Sequence, residues 1–230
     1  MNWPQALIFD VDGTLAETEQ AHLQAFNLAF AAAGLDWRWS PEDYRALLTT
    51  TGGKERMARH VREQGGDPAA WPIADLHRAK TRLFTEIVAG GGLRARAGIR
   101  EIISEARREG VRLAVATTTS PENVAALCPT LFGAPMEAVF EVVAAGDMVA
   151  AKKPAPDVYL LALERLGLPA EACLALEDSR NGVLAAKRAG LKVVLSQSFF
   201  TQGEPTESPD LQVAEFSGLL PLGRLRAGVS

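Results

Sequence analysis

Asp10 and Asp12 stand one residue apart at the end of an apolar run, residues 6–9, and Gly13 follows at once. Two carboxylates at that spacing attract a cation, although Asp-Gly also marks strand-ending turns, which accounts for one acid and not the other. Three further clusters could share their chemistry. Residues 113–116 are apolar and end in Thr117, Thr118, Thr119 and Ser120 ahead of Pro121, so hydroxyls and free backbone N–H groups converge on an anion seat at a helix start. Capping explains Ser120 and Thr119 but not Thr117, which stands at the end of the run. Lys153 precedes Pro154, which keeps it out of a helix and holds its charge in an extended loop, whereas Lys152 reads as a solvated neighbour. Residues 173–176 form another apolar run, and it ends in Glu177 and Asp178. Four acids gathered with one lysine leave excess negative charge, which a hard divalent cation, usually Mg2+, would offset.

Such groups meet only if the runs are strands that end side by side. Residues 6–9 are continuously apolar, as a parallel strand buried on both faces requires, and ligands bind at the carboxyl ends of such strands. From residue 93 onward helical and strand patterns alternate, with strands expected at 111–116, 139–144, 173–176 and 192–195 and helices around 99–106, 156–166 and 182–189. Residues 16–92 read differently: Leu23, Phe26 and Phe30 recur at helical spacing, further helices follow, and no buried strand interrupts them before Gly90, Gly91 and Gly92. The expectation is an α/β fold whose core, residues 1–15 and 93–230, carries a parallel sheet, with a helical domain inserted at 16–92.

Asp-x-Asp-Gly-Thr after a first buried strand resembles the first motif of the haloacid dehalogenase superfamily, and Thr117, Lys153 and Glu177-Asp178 follow in that family's order. The resemblance implies a Rossmann-like core with an inserted helical cap and a phosphatase or phosphomutase using Mg2+. It makes Asp10 the nucleophile that forms an aspartyl phosphate and Asp12 the acid/base. Thr117 would bind the transferred phosphoryl group, and Lys153 would neutralise phosphate and nucleophile. The Asp10 carboxylate, the Asp12 carbonyl and Asp178 would hold the metal, with Glu177 either a direct ligand or a partner behind one.

The inserted segment carries Thr51-Gly52-Gly53-Lys54-Glu55-Arg56. It lacks the earlier glycine of a nucleotide-binding loop, and Glu55 follows Lys54 where Ser or Thr is needed. It resembles instead the CbbY group of that superfamily, sugar-bisphosphate phosphatases close to β-phosphoglucomutase, in which this loop grips the distal phosphate. The implied substrate is xylulose 1,5-bisphosphate, an inhibitor of the carbon-fixing carboxylase, hydrolysed to xylulose 5-phosphate. The substrate-binding set is then Glu17, Thr51, Gly52, Gly53, Lys54, Arg56, His77, Lys80, Thr118 and Thr119. A solvated helix face is the competing reading of Arg78 and Arg82, and His22 reads equally as a packed side chain or an acid/base helper. His60 reads as a surface residue, and Trp37 and Trp39 as packing. A phosphomutase of the β-phosphoglucomutase type shares every motif and stays open, as does a non-catalytic phosphosugar-binding protein.

Composition narrows the partners. The 230 residues are 47% hydrophobic and 23% charged, with a net charge of −4. That balance argues against nucleic acid and anionic membranes, so a small phosphorylated sugar must be met by local charge. Residues 16–90 hold nine Lys and Arg against ten Asp and Glu, so placement rather than net charge must select it. Cys128 and Cys173 lie far apart among apolar residues and read as buried free thiols in a reducing, cytoplasmic setting. Neither a signal peptide nor a membrane span is expected, and the protein is expected to be a monomer.

Overall fold

The structure, a computed structural model, describes residues 4–224; the outer ends of the expected core, 1–3 and 225–230, lie outside the described residues. The strands are β1 (Ala6–Phe9), β2 (Arg112–Thr117), β3 (Val142–Ala145), β4 (Cys173–Glu177), β5 (Lys192–Leu195) and the two-residue β6 (Leu211–Gln212). They form one parallel sheet in the order β3-β2-β1-β4-β5-β6. Side chains alternate across it: Leu7 and Phe9 enter one apolar cluster, Ala6 and Ile8 the other. Truncating the fully buried Phe9 to Ala would cost about 3–5 kcal/mol.

Four helices lie between β1 and β2: α1 (Glu19–Ala32), α2 (Pro41–Leu47), α3 (Gly53–Glu63) and α4 (Ile73–Ala89). Leu23, Phe26 and Phe30 of α1 build a separate small core with Trp39, Tyr44 and Met57. Ala21 and Ala25 of the same helix, with Phe84 and Val88 of α4, join the cluster under the sheet, so the helical unit packs on both itself and the sheet layer. The later helices are α5 (Ile99–Arg108), α6 (Pro121–Phe132), α7 (Met136–Val139), α8 (Asp157–Leu166) and α9 (Arg180–Arg188). No helix among the described residues is long and apolar enough to cross a membrane. Cys128 and Cys173 are free and buried.

Several expectations need correction. The strand expected over 139–144 starts at Val142, because Pro135 opens the short helix α7 and Val139 and Phe140 bury from there. The short edge strand β6 carries too little pattern to be seen in the sequence. His60 is no simple surface residue: its Nδ1 accepts from Trp39 Nε1 at 3.2 Å, and its ring lies 5.1 Å from that of Trp37. Lys152 is not a solvated neighbour either, since Nζ donates to the Gly146 carbonyl and, at 3.1 Å, to Asp147 Oδ1.

Candidate active site

The strand order changes direction at β1, whose neighbours are β2 and β4. Register then brings three chain segments together: Phe9 pairs with Val115 on one side and Leu176 on the other. Asp10, Thr117 and Glu177 therefore surround one crevice at the carboxyl ends of the strands. Asp10 N–H donates to the Leu176 carbonyl at 3.0 Å, which fixes its main chain.

Lys153 Nζ donates to Asp10 Oδ1 at 2.8 Å and to Glu177 Oε1 at 2.6 Å, all three side chains being buried. Tyr159 of α8 donates its hydroxyl to the same Glu177 oxygen at 2.5 Å. Burial, opposed by Lys153 and reinforced by Glu177, pushes Asp10 up to about 8. Burial and the charges of Asp10 and Glu177 likewise raise Asp178 well above the carboxylate range. Burial works against charge on Lys153, but Asp10 and Glu177 outweigh it and keep the ammonium protonated. One oxygen each from Asp10, Glu177 and Asp178 lie within 4.8 Å of one another. An all-oxygen donor set with more negative charge than Lys153 can balance fits a hard divalent cation such as Mg2+. Gly13 makes the approach possible: at φ +82°, a Cβ there would stand 2.1 Å from Asp178 Oδ2.

Asp12 lives in a different environment. Its Oδ1 accepts from Thr18 Oγ1 at 2.6 Å and bonds His22 Nε2 at 2.9 Å. Behind it, Lys80 Nζ lies 2.6 Å from His22 Nδ1 and over the rings of Phe26 and Phe84. A charged Lys80 can only donate, so Nδ1 accepts and Nε2 carries the proton given to Asp12. Burial alone would raise the Asp12 carboxyl, but His22, Thr18 and Lys80 override it and hold it below the usual range. Burial, then the Lys80 charge, lowers His22, and burial lowers Lys80 to about 7.

The cleft over these groups has a volume of about 330 Å³. Asp10, Asp12, Thr117, Thr118, Lys153 and Asp178 line its floor, and Glu19, Arg45, Thr51 and Arg56 line its helical side. A small adjoining recess takes Gly52, Gly53, His77, Lys80 and Thr119. Thr117 Oγ1 accepts the Thr119 N–H at 3.2 Å, while Thr119 Oγ1 accepts from Asn123 Nδ2 at 2.8 Å and keeps its own O–H to donate. Burial, with Lys80 and Lys54 nearby, lowers His77 to about 4 and keeps it neutral.

Comparison with known proteins matches residues 4–190 to the family model of haloacid dehalogenase-like hydrolases. The chain belongs to the haloacid dehalogenase-like hydrolases. It is 57% identical to Protein CbbY of Cereibacter sphaeroides over 94% of each chain. A crystal structure of CbbY from Rhodobacter sphaeroides in complex with phosphate superposes with a TM-score of 0.93 at 56% identity, covering 96% of this chain and 99% of that one. The D10N mutant of that protein in complex with xylulose-(1,5)bisphosphate gives 0.91 at 56% identity, covering 94% and 96%. This chain is also 32% identical to Phosphorylated carbohydrates phosphatase of Thermotoga maritima over 82% of each chain.

Two residues of the expected hydrolase site stand outside the cleft. Lys54 forms an exposed ion pair with Asp147 Oδ2 at 2.8 Å, because the first turn of α3 points it across to the loop after β3. Glu17 accepts the Phe199 N–H at 3.2 Å and stands 3.7 Å from Arg96 Nε, facing the chain crossing rather than the floor. Other residues went unanticipated. Tyr44 donates to Glu19 Oε2 at 2.6 Å and accepts from Arg56 Nη1 at 2.6 Å, a buried network on the helical wall. For Thr18 a signal stands in the sequence, since it shares a helical face with His22 after Asp12, and Lys80, expected on the substrate, interrupts the apolar stripe of Leu76, Phe84 and Val88 and meets His22 instead.

Proposed function

We propose that this chain is a Mg2+-dependent sugar-bisphosphate phosphatase that converts xylulose 1,5-bisphosphate to xylulose 5-phosphate through a phosphoryl group carried on Asp10. The observation that carries the reading is the buried Asp10 carboxylate, held by Lys153 on the floor of a cleft that also exposes Thr117 and Thr118. The complex of the D10N mutant of a 56% identical protein with xylulose-(1,5)bisphosphate supports the substrate.

The Asp10 carboxylate attacks phosphorus, and the bond between phosphorus and the sugar oxygen breaks. Lys153, Thr117 and neighbouring amides receive the phosphoryl oxygens where charge accumulates. Mg2+, when bound by Asp10 and Asp178 with the Asp12 carbonyl, offsets the charge of the carboxylates and the phosphoryl group. Asp12 protonates the departing sugar oxygen, then takes the proton of the water that cleaves the aspartyl phosphate. It rests ionised, so a proton must reach it before the first step, and His22 and Lys80 stand in line behind it to deliver one. Residues 16–92 act as the cap, with Arg56 and the 51–53 loop turned toward the second phosphate.

The test is an assay of inorganic phosphate release from a panel of phosphorylated sugars including xylulose 1,5-bisphosphate, with and without Mg2+. Release of one phosphate per bisphosphate, dependent on Mg2+, is expected. Interconversion of sugar monophosphates without phosphate release would assign a phosphomutase instead.

A further inference from the structure

Arg96 lies where the chain returns from the helical unit to the sheet, outside the catalytic cleft. Its side chain is only 5% exposed. Nη1 donates to the carbonyls of Gly13 at 2.6 Å and Ser196 at 2.7 Å. Nη2 donates to Ser196 Oγ at 2.8 Å, the Gln197 carbonyl at 3.1 Å and Glu215 Oε2 at 3.4 Å. The guanidinium carbon stands 5.1 Å from the centre of the Phe216 ring. Its own N–H donates to the Leu15 carbonyl at 2.9 Å, and next to it Ala95 bridges Ala16. One residue thus ties together both crossings between the sheet and the helical unit and the loop that follows β5.

That loop matters to the carboxylate cluster. It carries Ser198 and Thr201, and the Thr201 hydroxyl donates to the Asp178 carbonyl at 2.7 Å and lies 3.3 Å from Oδ2. Gly13 presses from the opposite direction, since a Cβ there would stand 2.1 Å from Asp178 Oδ2 and 3.0 Å from Ser198 Cβ. Asp178 is therefore confined between two loops, and the Arg96 fork is bonded to both. Lysine could not replace it, having three donors on a point charge and no plane to lay on Phe216.

We propose that Arg96 is a positioning residue that sets Asp178 against Asp10 by clamping Gly13 to residues 196–197, and that it links this placement to the two crossings from which the helical unit hangs. The proposal rests on the metal-assisted reading above. It also gives Glu17 a place, beside the guanidinium rather than on the substrate.

The test compares wild type with Arg96→Lys by calorimetric titration of the substrate-free protein with Mg2+, together with kcat and KM. The Mg2+ Kd is expected to rise about tenfold and kcat to fall at least as much, with KM changed by less than about twofold. A folded variant with a lower Tm but unchanged Mg2+ Kd and kcat would make Arg96 a purely structural residue and overturn the proposal. If Arg96→Lys does not fold, Ser196→Ala removes only the hydroxyl bonds to Nη2 and to the Ala214 carbonyl. A rise in Mg2+ Kd of about threefold is then expected, and no rise overturns the clamp. Wild-type protein that neither binds nor needs Mg2+ would defeat the metal reading instead, and kcat alone would then decide the role of Arg96.

Discussion

Two sets of charged side chains border the cleft, and they are held there in different ways. Asp10, Glu177 and Asp178 stand at or just past strand ends, and Lys153 reaches the first two from the loop before α8, so sheet register and one buried ammonium set the spacing of Asp10 and Glu177. Arg45, Arg56 and Lys80 come from three different helices. Arg56 is held by Tyr44 and the Thr50 carbonyl, Lys80 by His22, and Arg45 by the carbonyls of Phe199 and Phe200 across the cleft. The proposed chemistry is thus placed by strand register in the sheet layer. The charges on the helical side depend on helix packing, which substitutions can re-aim while the sheet stays intact.

The largest effect expected on this division comes from its sheet side. Asp10→Asn should lower turnover by on the order of 10⁴-fold or more with an unchanged circular dichroism spectrum; ordinary turnover would remove Asp10 as nucleophile. Lys80→Met comes next, because Lys80 belongs to a helix yet serves the floor through His22. A fall in kcat of about 10²-fold is expected, together with loss of the limb in which rate declines above about pH 7. A pH profile identical to wild type would confine Lys80 to packing.

Proton competition at the floor gives a smaller, graded effect. Asp10 titrates at about 8 without metal, and a metal ligand must be deprotonated, so Mg2+ affinity should weaken about tenfold per pH unit below that value. At Asp10 the native state also binds a proton that the unfolded chain has lost between the ordinary carboxylate range and about 8, so the contribution of this group to the stability of the metal-free protein falls as pH rises through that window. Mg2+ should accordingly raise Tm more at pH 8 than at pH 6; an equal rise would contradict the assignment. Smallest of all is Asp147→Asn, which removes the negative charge from an ion pair with Lys54, both side chains exposed at 37% and 63%, and from a second with Lys152. Such pairs are worth about 0–1 kcal/mol, so a Tm within about 2 °C of wild type is expected by thermal unfolding.

The same division explains what could be read in advance. The floor was legible because a buried strand announces itself as an apolar run whose carboxyl end opens on the crevice; Asp10, Thr117 and Glu177 come directly after such runs, and Asp178 one residue later. Lys153 was legible through Pro154. On the helices, residue type alone does not say which way a side chain turns. Lys54 goes to Asp147 and Glu17 to Phe199, while Glu19 and Tyr44, which do form the wall, carry no motif at all. Arg96 was invisible for a related reason, since every acceptor it holds in common is a main-chain carbonyl or a residue about a hundred positions away.

The most direct measurement pairs two substrates with one variant. For Arg56→Ala, kcat/KM is determined for xylulose 1,5-bisphosphate and for p-nitrophenyl phosphate, which has no second phosphate. The expected result is a loss of about tenfold or more for the bisphosphate, expressed in KM, with p-nitrophenyl phosphate changed by less than about twofold. An equal loss for both would place Arg56 in the chemistry and contradict the separation of a reacting floor from a selecting helical wall.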